Sequence, residues 1–251
     1  MVRILSISFV FLAANVLLVL VILALSRRAE GRSVRSTTVT PPFAGTSLLD
    51  ASTILCKEFD YARTTASEAL EDRHRMIDFY LVFTGIVVTG VLAVLNRDGG
   101  YPDIVGTVLL WFLCGIGWLY FLKLIRLRQA WHDSARAMNR IKDFYVEHAK
   151  EFEPDVLKRA FRWRSETLPA PEKPWTLHFF SAMLIGLIDT LAYVLGAALL
   201  DLDTTLSRPL LILAPLMVFG LLLLAFYVWA YFAFLRPAAS AEAATGGRER
   251  S

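Results

Sequence analysis

Long runs without a charged side chain alternate with charged, helically periodic stretches, and this alternation organises the chain. Phe79 to Leu95 and Ile104 to Leu122 are free of charge, and as helices each is long enough to cross a hydrocarbon core of about 30 Å. The turn between them, NRDGGYPD from Asn96 to Asp103, is short, so the two form a hairpin. Ile4 to Leu25, Phe179 to Leu200 and Pro209 to Leu235 are apolar over comparable lengths. Backbone polar groups inside a bilayer must be satisfied within the segment, which makes these runs helices. The pattern predicts an all-α integral membrane protein with five transmembrane helices, an N-terminal one and two hairpins.

Past the polar ends of the first hairpin the periodicity changes. Leu48, Ser52, Leu55, Phe59, Ala62, Ala66, Ala69 and Arg73 step alternately by 4 and 3, the spacing of a coiled-coil seam. Leu127, Trp131, Ser134, Met138, Ile141, Tyr145 and His148 repeat it on the far side of the hairpin. A helix from Lys123 to Lys150 is about 42 Å long, so it projects as an arm well beyond the bilayer surface. Antiparallel packing of the arms within a subunit or between subunits satisfies the pattern equally.

These elements divide the chain into segments. Residues 1–26 form a transmembrane helix, read as retained because no small-residue cleavage site separates it from Arg27 and Arg28. A start downstream would leave four helices. Residues 27–46 are a Ser/Thr/Pro linker, and 47–150 the central hairpin with its arms (spans 79–95 and 104–122). Within 151–178 a basic amphipathic helix, Asp155 to Arg164, precedes the connector LPAPEKPW. The second hairpin is 179–235 (spans 179–200 and 209–235), with Phe226, Tyr227, Trp229, Tyr231, Phe232 and Phe234 as an interfacial aromatic belt. Residues 236–251 are expected to be a disordered tail.

At 56% hydrophobic, the 251-residue chain exceeds the roughly 45 to 50% of soluble domains. Its net charge of +3 conceals a strong asymmetry. Of 26 Lys and Arg, 8 lie between Arg27 and Ile77, 12 between Lys123 and His178 and 3 after Leu235, all on one face; the other face has Arg3, Arg97 and Arg208. The positive-inside rule makes the first face cytoplasmic, with the N-terminus outside and the C-terminus inside. Cys56 and Cys114 read as reduced thiols, one in an arm and one in a span. No metal-ligand spacing, phosphate loop or nucleophile and base set appears, so neither a cofactor nor an enzyme is expected. Basic faces beside a membrane answer to anionic lipid, and no nucleic acid is expected.

Asp189 is the one ionisable residue deep inside a span, with Thr190 beside it. A charged Asp at the bilayer centre costs on the order of 3 kcal/mol on insertion scales, so it is protonated, paired or facing water. Ala182, Gly186, Tyr193 and Gly196 or Ala197 share its helix face, where small residues let another backbone approach. Structural glue and an ion or proton pathway are the two roles open to it. Arg73, Arg75 and Asp78 lie in a charge run where the first arm meets the membrane; the run reads as a solvated helix end anchored at lipid headgroups. On the second arm the seam candidates are Leu127, Trp131, Met138, Ile141 and Tyr145.

Taken together, EALEDRHRMIDFYLVFTGIVV, the short turn and LLWFLCGIGWLYFLKLIRLRQAW resemble the small two-helix transmembrane effector domains of bacterial conflict systems, the SLATT domains, over about residues 47 to 150. The resemblance implies a bacterial inner-membrane protein, oligomeric, that perforates or depolarises the membrane when a sensor signals. Two functional expectations follow. One is an oligomeric multi-pass protein of pore-forming or channel-like type; the other is a membrane-anchored scaffold or sensor whose arms recruit a cytoplasmic partner.

Overall fold

The computed structural model describes residues 51–96, 102–148, 168, 170–200 and 209–246, and among these it is all-helical. Four helices follow one another: α1 (Ala51–Leu95), α2 (Pro102–His148), α3 (Leu177–Leu199) and α4 (Pro209–Gly246). Each is long and apolar enough to cross a membrane. The predicted helix at 1–26 and the amphipathic helix at Asp155 to Arg164 lie outside the described residues, so four spans stand where five were expected.

Nothing interrupts α1 or α2 where an apolar stretch passes into an arm. No proline occurs between Ala51 and Leu95, and in α2 Pro102 occupies the first turn, where its missing N–H has no helical acceptor to lose. Thr84, Thr89 and Thr190 return their hydroxyls to the carbonyls four residues earlier, so these polar groups need no outside partner in lipid.

α1 and α2 pair antiparallel along their length, and the pairing runs out into the arms of one and the same chain. Cys56 Sγ stands 3.8 Å from the Tyr145 hydroxyl, the Lys142 ammonium lies over the Phe59 ring, and Tyr80 meets Tyr120 with ring centroids 5.3 Å apart. α2 is the central element, packed closely on α1 and α3 and meeting α4 chiefly through aromatic side chains, while α4 packs mainly on α3. Of the apolar window of α3, 56% is buried, against 17% for α1, which places α1 at the rim.

On α1 the membrane-proximal half of the predicted seam is buried: Ala62, Ala66, Ala69 and Arg73 are enclosed, Leu55 and Phe59 are half-buried, and Met76, Tyr80, Val87 and Val91 extend the line into the apolar stretch. On α2 the seam is displaced by one residue. Arg128, His132, Ala135 and Asn139 are buried, whereas the expected Leu127, Trp131, Ser134, Met138, Ile141 and Tyr145 are half-buried and flank the contact line. The alanines facing them are short, which lets long polar side chains of α2 lie across the interface while their apolar neighbours cover its edges.

Two further expectations need correction. The run after Leu235 was assigned to a disordered tail, yet α4 continues through Pro237 to Gly246. Five of the seven residues from Ala238 to Ala244 are alanine, the best helix former, and a proline costs a helix a hydrogen bond without forbidding its φ. The aromatic belt is mostly core: Tyr227, Tyr231, Phe226 and Phe234 are buried, and Trp229 is the exposed member. At 100° per residue these four lie on the stripe that faces α2 and α3.

Candidate functional site

Asp189 sits midway along α3 and is completely enclosed, with 0% exposure. Its face is built of small residues. Ala182, Gly186, Gly196 and Ala197 are buried with it, and a Cβ on Gly186 would come within 2.9 Å of the Tyr227 ring. That absence of side chain lets Tyr227 of α4 reach across and donate its hydroxyl to Asp189 Oδ2 at 2.5 Å. From the opposite direction Tyr80 of α1 donates to Oδ1 at 2.7 Å.

α2 completes the enclosure. The Cys114 thiol donates to the Asp189 carbonyl at 3.2 Å, and Gly117 offers the carboxylate a surface with no side chain. Trp118 stacks on Tyr227 with centroids 4.8 Å apart, while Phe121 meets the same ring edge-on at 5.0 Å. Through its carboxyl and its backbone carbonyl, Asp189 thus links its own helix to the other three. Both oxygens accept from phenols, which suits a group that takes two hydrogen bonds in a medium without water. Thr190, the other pathway candidate, is buried and bonded to its own helix at Gly186.

One turn beyond the apolar stretches, where the arms leave the bundle, lies a second constellation. Thr176 caps α3 by accepting from the Phe179 N–H at 3.3 Å, which fixes His178 in the first turn and points it at α1. Arg73 of α1 donates from Nη1 to His178 Nδ1 at 3.3 Å and from Nη2 to His74 Nε2 at 2.6 Å. Arg128 of α2 donates from Nε to the Pro171 carbonyl at 3.3 Å and lies over the Trp131 ring at 4.9 Å. Arg73, Arg128 and His178 are 4%, 5% and 4% exposed.

The junction residues named from sequence therefore part company. Arg73, expected at a solvated helix end, is buried because His178 and α2 cover its side of α1. Arg75 is exposed and pairs with Glu71 at 2.6 Å; Asp78 is exposed, and no ion pair involves it among the described residues. Arg75 also lines a groove of about 280 Å³ between α1 and α2, with Asp72 and Lys123 at its polar end and Phe79 and Leu119 at its apolar end. Sequence reasoning missed Tyr80, Tyr227, Arg128 and His178. The available signal was weak: a tyrosine or cation near the level of an unpaired partner on another span.

Comparison with known proteins gives no relative to lean on: no family model matches, and neither a curated protein nor a solved structure matches significantly.

Proposed function

We propose that the chain is a membrane-anchored scaffold or sensor, in which paired helical arms receive a cytoplasmic protein partner and a tied transmembrane bundle holds them at the inner membrane. The enclosure of Asp189 carries this reading. The ionisable group at mid-span has both oxygens occupied by Tyr80 and Tyr227 and no exposure, so within one chain it lines no wet path. The role that fits is glue between helices, which small residues on α3 make room for. Orientation follows from the partition of Lys and Arg, with both arms inside. The outward face of the first arm carries Asp60, Arg63, Glu68 and Glu71, a polar surface for a soluble partner.

An oligomeric channel of the effector type is the second reading, supported by the rim helix and by the resemblance of residues 47 to 150. Gly85, Thr89 and Ala93 fall four apart on the exposed side of α1, the arrangement by which small residues let membrane helices approach. A conduit would then run between copies.

One experiment separates the two. Expression in a bacterial host with a potential-sensitive dye, combined with photocrosslinkers at Arg63 and Arg140, is expected to leave the potential unchanged and to link the arms to a different protein. Depolarisation that disappears in Gly85→Leu, with arm crosslinks only to the same chain, would establish the channel instead.

A further inference from the structure

Among the described residues, the buried cations at the root of the arms have no counter-charge in contact with them. Arg73, bonded to His178 at the start of α3, and Arg128, bonded to Pro171 on the connector just before it, are both buried with like charge, and among the described residues neither has a carboxylate at salt-bridge distance. Burying a guanidinium without an opposite charge is costly, and burying two more so. Hydrogen bonding sharpens the point. His178 Nδ1 accepts from Arg73, so the ring proton resides on Nε2, and that Nε2 is buried with no acceptor. Arg73 Nε is likewise buried and unpartnered. Two unfulfilled donors beside two guanidiniums form a site that calls for an acceptor with no proton to give.

We propose that Arg73, Arg128 and His178 bind a phosphate oxyanion at the arm root, supplied by an anionic lipid headgroup or by free phosphate. Phosphate is matched by its several acceptor oxygens and by the planar fork of each guanidinium, which takes two oxygens at once. An acid next to Pro171, Glu172, has one buried carboxylate oxygen without a partner. It stands on the non-helical connector that also supplies the Pro171 carbonyl to Arg128, so it borders the site without closing the charge. The assignment is independent of whether the chain conducts or recruits.

The test is the melting temperature of the full chain in a neutral maltoside detergent, titrated with sodium phosphate against sodium chloride of matched ionic strength. A parallel series uses nanodiscs of phosphatidylcholine with and without phosphatidylglycerol. An upward shift that grows with ligand concentration is expected in at least one series. A shift with phosphatidylglycerol alone assigns the site to lipid, and one with inorganic phosphate assigns it to the free ion. Arg73→Gln and Arg128→Gln should each abolish the shift while melting no lower than the parent without ligand, since each removes one of two buried like charges. Arg73→Lys, which keeps the charge and loses the fork, should weaken it several-fold. Absence of a shift in both series, or a shift of equal size in both Gln variants, overturns the assignment. So does a parent that ignores phosphate while Glu172→Gln melts as far below it as Arg73→Gln does, because the cluster is then closed by its own acid.

Discussion

A Cβ on Gly117 would overlap the Asp189 carboxylate, so the approach of α2 to α3 at mid-span depends on the absence of one methyl group. Gly117→Ala should destabilise the bundle by about 1 to 3 kcal/mol, the usual cost of overpacking a filled interior. Thermal or SDS-induced unfolding in detergent measures it. Gly85→Ala is the control, because nothing lies within 4 Å of its added Cβ. If both variants unfold alike, the packing around Asp189 is looser than described.

Tyr80→Phe and Tyr227→Phe should each cost roughly 0.6 to 2 kcal/mol, the range of hydrogen bonds between membrane helices. Asp189→Leu should cost at least as much as either, and the two tyrosine changes should have little further effect in its background. Asp189→Asn retains an oxygen acceptor and gains a donor that a phenol can accept, so it is expected to stay within about 1 kcal/mol of the parent. A double-mutant cycle on unfolding reads these couplings. An Asn variant that folds normally but alters ion or proton flux would restore the pathway role.

Pairing of the arms within a chain can be trapped through the thiol already present. With Cys114→Ala to remove the buried sulfur, Tyr145→Cys should be bridged to Cys56 by a short bis-maleimide whose spacer replaces the tyrosine ring, since it is the far end of that ring, its hydroxyl, that lies 3.8 Å from Cys56 Sγ. The product should migrate as a compact monomer on non-reducing gels. A crosslinked dimer would mean that arms are exchanged between copies.

Reporter fusions at Arg35, Gly99, Lys150, Thr204 and Thr245 are expected to read inside, outside, inside, outside, inside. The expectation rests on the 23 basic residues of one face against 3 on the other. An inverted reading at Gly99 or Lys150 would reject the orientation of the central hairpin.

What the sequence disclosed follows from which interactions are local. Spans were legible because lipid forces length and apolarity on every residue of a segment. Asp189 stood out as the lone acid of its span, and its small-residue face could be drawn from helical geometry. Its partners could not, since Tyr80 lies 109 residues away and Tyr227 was indistinguishable from an interfacial aromatic. On α1 the 4-and-3 spacing led to Ala62, Ala66, Ala69 and Arg73, which are buried, while on α2 the buried line is displaced because Arg128, His132 and Asn139 do not look like core. Polar residues become interior when a neighbour is small enough to admit them, and that neighbour belongs to another helix.

The unbroken course of α2 carries a mechanical consequence. A helix of 47 residues extends about 70 Å, and no proline after Pro102 divides the part among α3 and α4 from the part beside the first arm. Such a rod is stiff in torsion, so a twist applied near His148 arrives near Thr107, whose hydroxyl holds the Gly196 carbonyl at 2.9 Å. Whatever grips the distal tip therefore turns the opposite end of the bundle with it.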